Sequence, residues 1–171
     1  MYKRQVLSAQ LNSHPFRYRL CLTTELGAPA EAPCTSQHSV RIANLGTDTV
    51  LEITGNYYAA YSRIRVNKPE RARLTFEEVI LPALKMAVTE FKNDSQIQVY
   101  AIEVSHYVLA RVLGVPWEAP ENLAVVLPRN AAEKLVETSD PQERQVALQQ
   151  GQVFLNAEPL TLRLKRNSLP P

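Results

Sequence analysis

Glu103 and His106, three residues apart, have the spacing that sets a carboxylate and an imidazole on one face of a helix, as in bundle di-metal sites. Such a site needs a second Glu-x-x-His and further carboxylates, and no second motif of this kind occurs in the chain. The flanking Val, Ile and Tyr residues favour a strand, on which residues three apart point to opposite faces. The expectation is therefore a structural histidine beside a glutamate at a sheet margin. A Cys–His hydrolase would need Cys21 or Cys34 near His14, His38 or His106, and no local spacing supports this. The chain has no Gly-x-Ser-x-Gly elbow and no glycine-rich phosphate loop. Its three histidines are scattered, whereas zinc needs three or four clustered ligands. No catalytic centre, metal or cofactor is expected.

Arg63, Arg65, Lys68, Arg71 and Arg73 place five cations within eleven residues, opposed only by Glu70. As a plain structural feature they form a solvated connector ahead of a helix. As a functional feature they form a clamp for a phosphate or carboxylate, which arginine forks bind in a bidentate way. Tyr57, Tyr58 and Tyr61 lie just upstream and either pack against a sheet or offer stacking faces. On a helix Tyr57, Tyr61 and Arg65 form one stripe. On a strand Tyr57, Tyr61, Arg63 and Arg65 share a face. These four residues are the candidate site for a flat or small anionic ligand. Trp117, between Pro116 and Pro120, reads as an exposed anchor for a partner or as a lid over the core.

The elements that must position these groups are clearer. Gln96 to Leu109 and Leu123 to Pro128 are rich in β-branched and aromatic residues, as central strands buried on both sides are. Ile97 to Val108 is expected beside Leu123 to Leu127, with Ile102 and Val104 inside. Phe16 to Thr23 alternates like a half-exposed strand, and Ser39 to Thr54 reads as a hairpin turning at Gly46. Asn56 to Arg65 is open between helix and strand. Thr75 with Glu78 has the form of a capping box. It opens a helix to about Lys92, with Phe76, Val79, Ile80, Ala83, Ala87 and Phe91 along one stripe. Pro82 inside it calls for a kink near Glu78, or for a helix that begins close to Pro82. Two shorter helices follow, one capped at Asn130 and one at Asp140-Pro141, and a hairpin turning at Ala157-Glu158 closes the chain. The fold class is α+β: a single domain with a mixed or antiparallel sheet, a long kinked helix and two shorter ones.

Residues 1–5, Met-Tyr-Lys-Arg-Gln, match what a transposon-type sequencing adapter encodes from a GTG start, as at the edges of environmental contigs. They are set aside as an artefact, expected to form no regular structure and to pack against nothing. Residues 6–9 resemble the end of a signal peptide cut before Gln10, which leaves 10–171 as the domain of an N-terminally truncated chain. Without Lys3 and Arg4 the 19 cations fall to 17, equal to the 17 acids, so no general attraction to nucleic acid is expected. No run approaches the ~18–20 apolar residues of a bilayer span, so no membrane insertion is expected either. Cys21 and Cys34 suit a disulfide in an oxidising compartment, favouring an exported protein, periplasmic or extracellular, over a cytoplasmic one. The function expected from these features is a noncatalytic binding or assembly domain of an exported bacterial protein, engaging a protein partner or a small anionic ligand. The alternative is the C-terminal part of an enzyme whose catalytic groups lie partly upstream.

Overall fold

A computed structural model describes residues 2–34 and 38–164. In chain order the elements are α1 (Tyr2–Ser13), β1 (Leu20–Leu22), β2 (Val40–Leu45), β3 (Asp48–Ser62), α2 (Lys68–Thr75), a π-helical turn (Phe76–Ile80) and α3 (Leu81–Glu90). Then come β4 (Val99–Val112), β5 (Val115–Pro128), α4 (Arg129–Glu137), α5 (Pro141–Gln149), β6 (Gln152–Leu155) and β7 (Glu158–Pro159). The strands form one mixed sheet in the order β1-β3-β4-β5-β6-β7, with β2 also paired to β3. The α+β class expected from the pattern is the class observed.

β3 and β4 are parallel, with Ile53 opposite Ile102, and parallel neighbours require a crossover connection. The continuous helix from Lys68 to Glu90 supplies it. It starts earlier than Thr75 because Asn67 is a stronger N-terminus. The Asn67 side chain accepts the Glu70 N–H at 3.0 Å, and Pro69 occupies the first turn. Thr75 instead lies within helical backbone and makes no capping bond. Pro82 cannot donate to Glu78, and the chain absorbs this loss in the π-helical turn, where the Leu81 N–H reaches Phe76 O. The whole expected apolar stripe of this helix is buried.

Ile102 and Val104 are buried as the pattern demands, and Tyr100, Ile102 and Val104 oppose Leu127, Val125 and Leu123. All these side chains lie on the face covered by the helices. The expectation of burial on both sides holds over only part of β4. On the second face Ser105 and Tyr107 are buried, whereas Val99, Ala101 and Glu103 are half-exposed. The cover there is the strap from Thr23 to Cys34. Gly27 N–H donates to Asn56 Oδ1 at 2.8 Å, Asn56 Nδ2 donates to Glu25 O at 2.9 Å, and the Tyr107 hydroxyl donates to Ala28 O. A disulfide between Cys21 and Cys34, with Cα atoms 5.4 Å apart, closes the strap.

Tyr2 to Gln5 are helical, contrary to the expectation of no regular structure, and the Lys3 ammonium lies 5.7 Å from the Phe91 ring centroid. Leu7 and Leu11 anchor α1 in the core, and a helix so anchored extends at little cost per residue. A cut after Ala9 would remove the buried Leu7. β1 is shorter than the alternation suggested, three residues. The last hairpin turns at Asn156-Ala157, both with positive φ, one residue earlier than expected. Gly151 is demanded by close approach, since a Cβ there would overlap Val126 O. No helix among the described residues is long and apolar enough to cross a membrane.

Candidate binding surface

β3 runs as strand through Ser62 and then breaks into a turn over Arg63 to Arg65, which resolves the ambiguous segment. The pairing slips between Asn56 and Ala60, so that β3 carries two more residues than β4 over this interval. Tyr57 and Tyr61 are buried beneath the helices. The Tyr57 hydroxyl donates to Glu78 Oε2 at 2.9 Å, and the Tyr61 ring meets His106 edge-on at 5.3 Å. Burial, joined by the Glu78 contact, pushes the Tyr57 hydroxyl pKa well above its ordinary value. Arg63 and Arg65 are exposed in the turn. The four-residue face of Tyr57, Tyr61, Arg63 and Arg65 is therefore not assembled, because the strand ends before the arginines and its buried face takes the tyrosines. Tyr58 points the other way and stacks on Tyr107 at 5.5 Å.

The basic run divides in the same manner. Arg73 is buried and paired to Glu70 and Glu77. Lys68 reaches Glu158 at 3.5 Å. Arg71 forks onto Glu121 through Nε at 2.9 Å and a terminal nitrogen at 2.7 Å, with its other nitrogen on Val66 O. Arg63 and Arg65 keep guanidinium groups with no partner among the described residues.

Glu103 and His106 occupy opposite faces of β4. His106 is fully buried, and its partner is Glu121, across the β4–β5 pair, with Nε2 at 2.9 Å from Oε2. A carboxylate can only accept, so this ring nitrogen carries the proton. Nδ1 lies 3.0 Å from Thr75 Oγ1. Burial alone would raise the Glu121 carboxyl, but the hydrogen bonds from His106 and Arg71 and their charges outweigh it and hold it at about 2. Glu103 shifts upward through burial and the neighbouring Glu52 carboxylate. Thr75, His106 and Glu121 thus form a hydroxyl–imidazole–carboxylate chain that resembles a nucleophile relay. Thr75 and His106 are sealed from solvent, and Thr75 sits inside a helix, so the chain ties α2 to the sheet. No cluster of three or more metal-ligating side chains occurs among the described residues.

The ends of β4 and β5 differ from the rest of the sheet. β3 stops at Ser62 beside Leu109, and β6 pairs only from Leu123 to Val126. Ala110 to Val112 and Val115 to Trp117 therefore pair only with each other, a free ribbon about 10 Å long at ~3.3 Å per residue. Leu113 and Gly114, both with positive φ, form its two-residue turn. Leu113 is 100% exposed, Val115 64%, Val112 54% and Trp117 48%. Register puts Val112, Val115 and Trp117 on one face of the ribbon, with Leu109, Arg111 and Pro116 on the other. Ile64, 91% exposed, lies beside it in the turn. A groove of about 420 Å³ runs between Ile64, Leu109, Arg111 and Trp117. A cleft of about 490 Å³ lies between Arg63, Lys68, Trp117 and Glu121. Arg111, like Arg63 and Arg65, has no partner among the described residues. Of the surface, Arg63, Arg65 and Trp117 were legible as candidates. Ile64, Arg111 and the tip were not, and their signal was the run Val112-Leu113-Gly114-Val115, apolar residues around a turn glycine. No protein-family model, curated protein or solved structure matches this chain.

Proposed function

We propose that the chain is a noncatalytic binding or assembly domain that docks by the free end of its β4–β5 ribbon. The observation that carries this reading is the apolar tip itself. Val112, Leu113, Val115 and Trp117 are exposed together, where they add nothing to the core, and clustered apolar exposure of this kind marks interaction sites. Three unpaired arginines beside it supply electrostatic selectivity. The noncatalytic reading is supported by the burial of Thr75 and His106, which leaves Glu121 as the one member of that acid–base chain at the edge of a cleft. The Cys21–Cys34 disulfide supports an exported setting, where such bonds persist.

A photoreactive residue placed at Leu113 or Val115, in cells that express the chain, is expected to give covalent adducts. The same residue at Lys85, exposed on α3, is expected to give none. Absence of adducts at the tip, or equal adducts at both places, would overturn the reading.

A further inference from the structure

Resting on that docking role, we infer that the surface the ribbon engages is the anionic headgroup layer of a lipid bilayer, entered to shallow depth and not spanned. A partner protein of ordinary shape covers one side of a ribbon, but here the apolar groups surround the end. Val112, Val115 and Trp117 occupy one face and Leu113 the apex, and on the other face the apolar Leu109 and Pro116 flank Arg111, with Glu118 opposite Leu109. A fluid interface meets all of these sides at once.

The charges lie where such an interface needs them. Arg111 stands two residues behind the apex, and Arg63 and Arg65 flank the base of the free ribbon, where Ser62 pairs with Leu109. Immersion of the apex by ~5–10 Å, the depth of interfacial elements, brings the guanidinium groups to the level of lipid phosphates. Arginine forks suit phosphate. The acids in this neighbourhood do not cancel them. Among the described residues Glu121 is held by Arg71 and His106 and Glu158 by Lys68, which leaves Glu118, on the ribbon face of Arg111, against three arginines. Trp117 sits at the boundary between apolar tip and charged collar, the level at which tryptophan concentrates in membranes.

Trp117 is the single tryptophan of the chain, so its emission reports contact directly. The full chain is mixed with vesicles of phosphatidylcholine alone or with a substantial share of phosphatidylglycerol. Binding and a blue shift of Trp117 emission are expected only with the anionic vesicles, and both should weaken as salt rises. Each arginine near an anionic surface contributes about fivefold to binding, so the Arg63→Ala, Arg65→Ala, Arg111→Ala variant should bind roughly 100-fold more weakly. Leu113→Asp should abolish the blue shift while leaving circular dichroism unchanged. Absence of binding to anionic vesicles, equal binding to neutral ones, or wild-type binding by the triple variant would overturn the lipid assignment. Tip adducts formed with a protein, together with no vesicle binding, would leave docking in place and assign the surface to that protein instead. Absence of both tip adducts and vesicle binding would remove both proposals.

Discussion

Replacing Glu121 by glutamine tests whether the buried ion network holds the base of the ribbon to the helix layer. Glu121 is 13% exposed and Arg71 6%, so water screens the pair little. The carboxyl falls from 4.5 to about 2 in the folded chain, which corresponds to roughly 3 kcal/mol at about 1.4 kcal/mol per pH unit. Because the folded value is the lower one, this stabilisation is complete above 4.5 and disappears as pH falls through about 2. Glutamine keeps one acceptor oxygen but turns an NH₂ group toward Arg71 or His106, both of which donate. A buried guanidinium left without its counterion costs about 3–5 kcal/mol, which is the loss expected for Glu121→Gln at neutral pH. Urea unfolding followed by circular dichroism measures it. The gap between wild type and variant should narrow between pH 4.5 and about 2, since the wild type loses its advantage there. Glu121→Leu combined with Arg71→Met should be milder, because it leaves no buried charge unpaired. A loss below ~1 kcal/mol, the level of an exposed pair, or a gap unchanged in acid, would refute the reasoning.

The disulfide spans thirteen residues, so Cys21→Ser with Cys34→Ser should lower stability by about 3 kcal/mol. Hydrogen exchange should then quicken in the strap and at Asn56, whose side chain the strap holds, and unchanged exchange would count against its role as a cover. Gly151→Ala should cost about 1–3 kcal/mol through overpacking, because the new Cβ meets a backbone oxygen that cannot move aside without disturbing β5. Thermal unfolding within about 0.5 kcal/mol of wild type, typical of an unconstrained surface position, would contradict that contact. Tyr57→Phe removes one hydrogen bond to Glu78 and should cost about 1–2 kcal/mol. Arg17 also donates to Glu78, at Oε1 and 2.9 Å, and a neutral result in denaturant titration would show that this contact alone satisfies the carboxylate.

The class of the fold and the positions of its central strands were legible because burial imposes a simple alternation on residues such as Tyr100, Ile102 and Val104. The long helix was legible in its stripe but not in its start. Thr75-x-x-Glu78 matches a capping box, yet Asn67 with Pro69 provides a stop to fraying further upstream, and Thr75 is then simply continued through. Local spacing could not reveal the partner of His106, because Glu121 lies on the neighbouring strand and only the β4–β5 register brings the two together. The same limit hid the strap. Asn56 and Tyr107 look like ordinary strand residues until Glu25, Gly27 and Ala28 fold across them.

The proposed binding surface shows most clearly how topology creates a property that composition conceals. The chain carries 19 cations against 17 acids, and so small an excess gives no reason for an anionic partner. Folding then sorts the charges by partner. α2 draws Arg71 and Arg73 inward onto Glu121, Glu70 and Glu77, consuming the middle of the basic run. The end of β3 leaves Arg63 and Arg65 outside, and the parallel pairing of β3 with β4 delivers Arg111, distant in sequence, to the same edge. That pairing also fixes where β3 stops, and hence where the ribbon loses its lateral support and projects. One topological feature thus places the apolar tip and concentrates the unspent positive charge beside it. Under the proposed docking role, stability and docking fall to different residues: the network around Glu121 to the first, and the exposed tip with its arginines to the second.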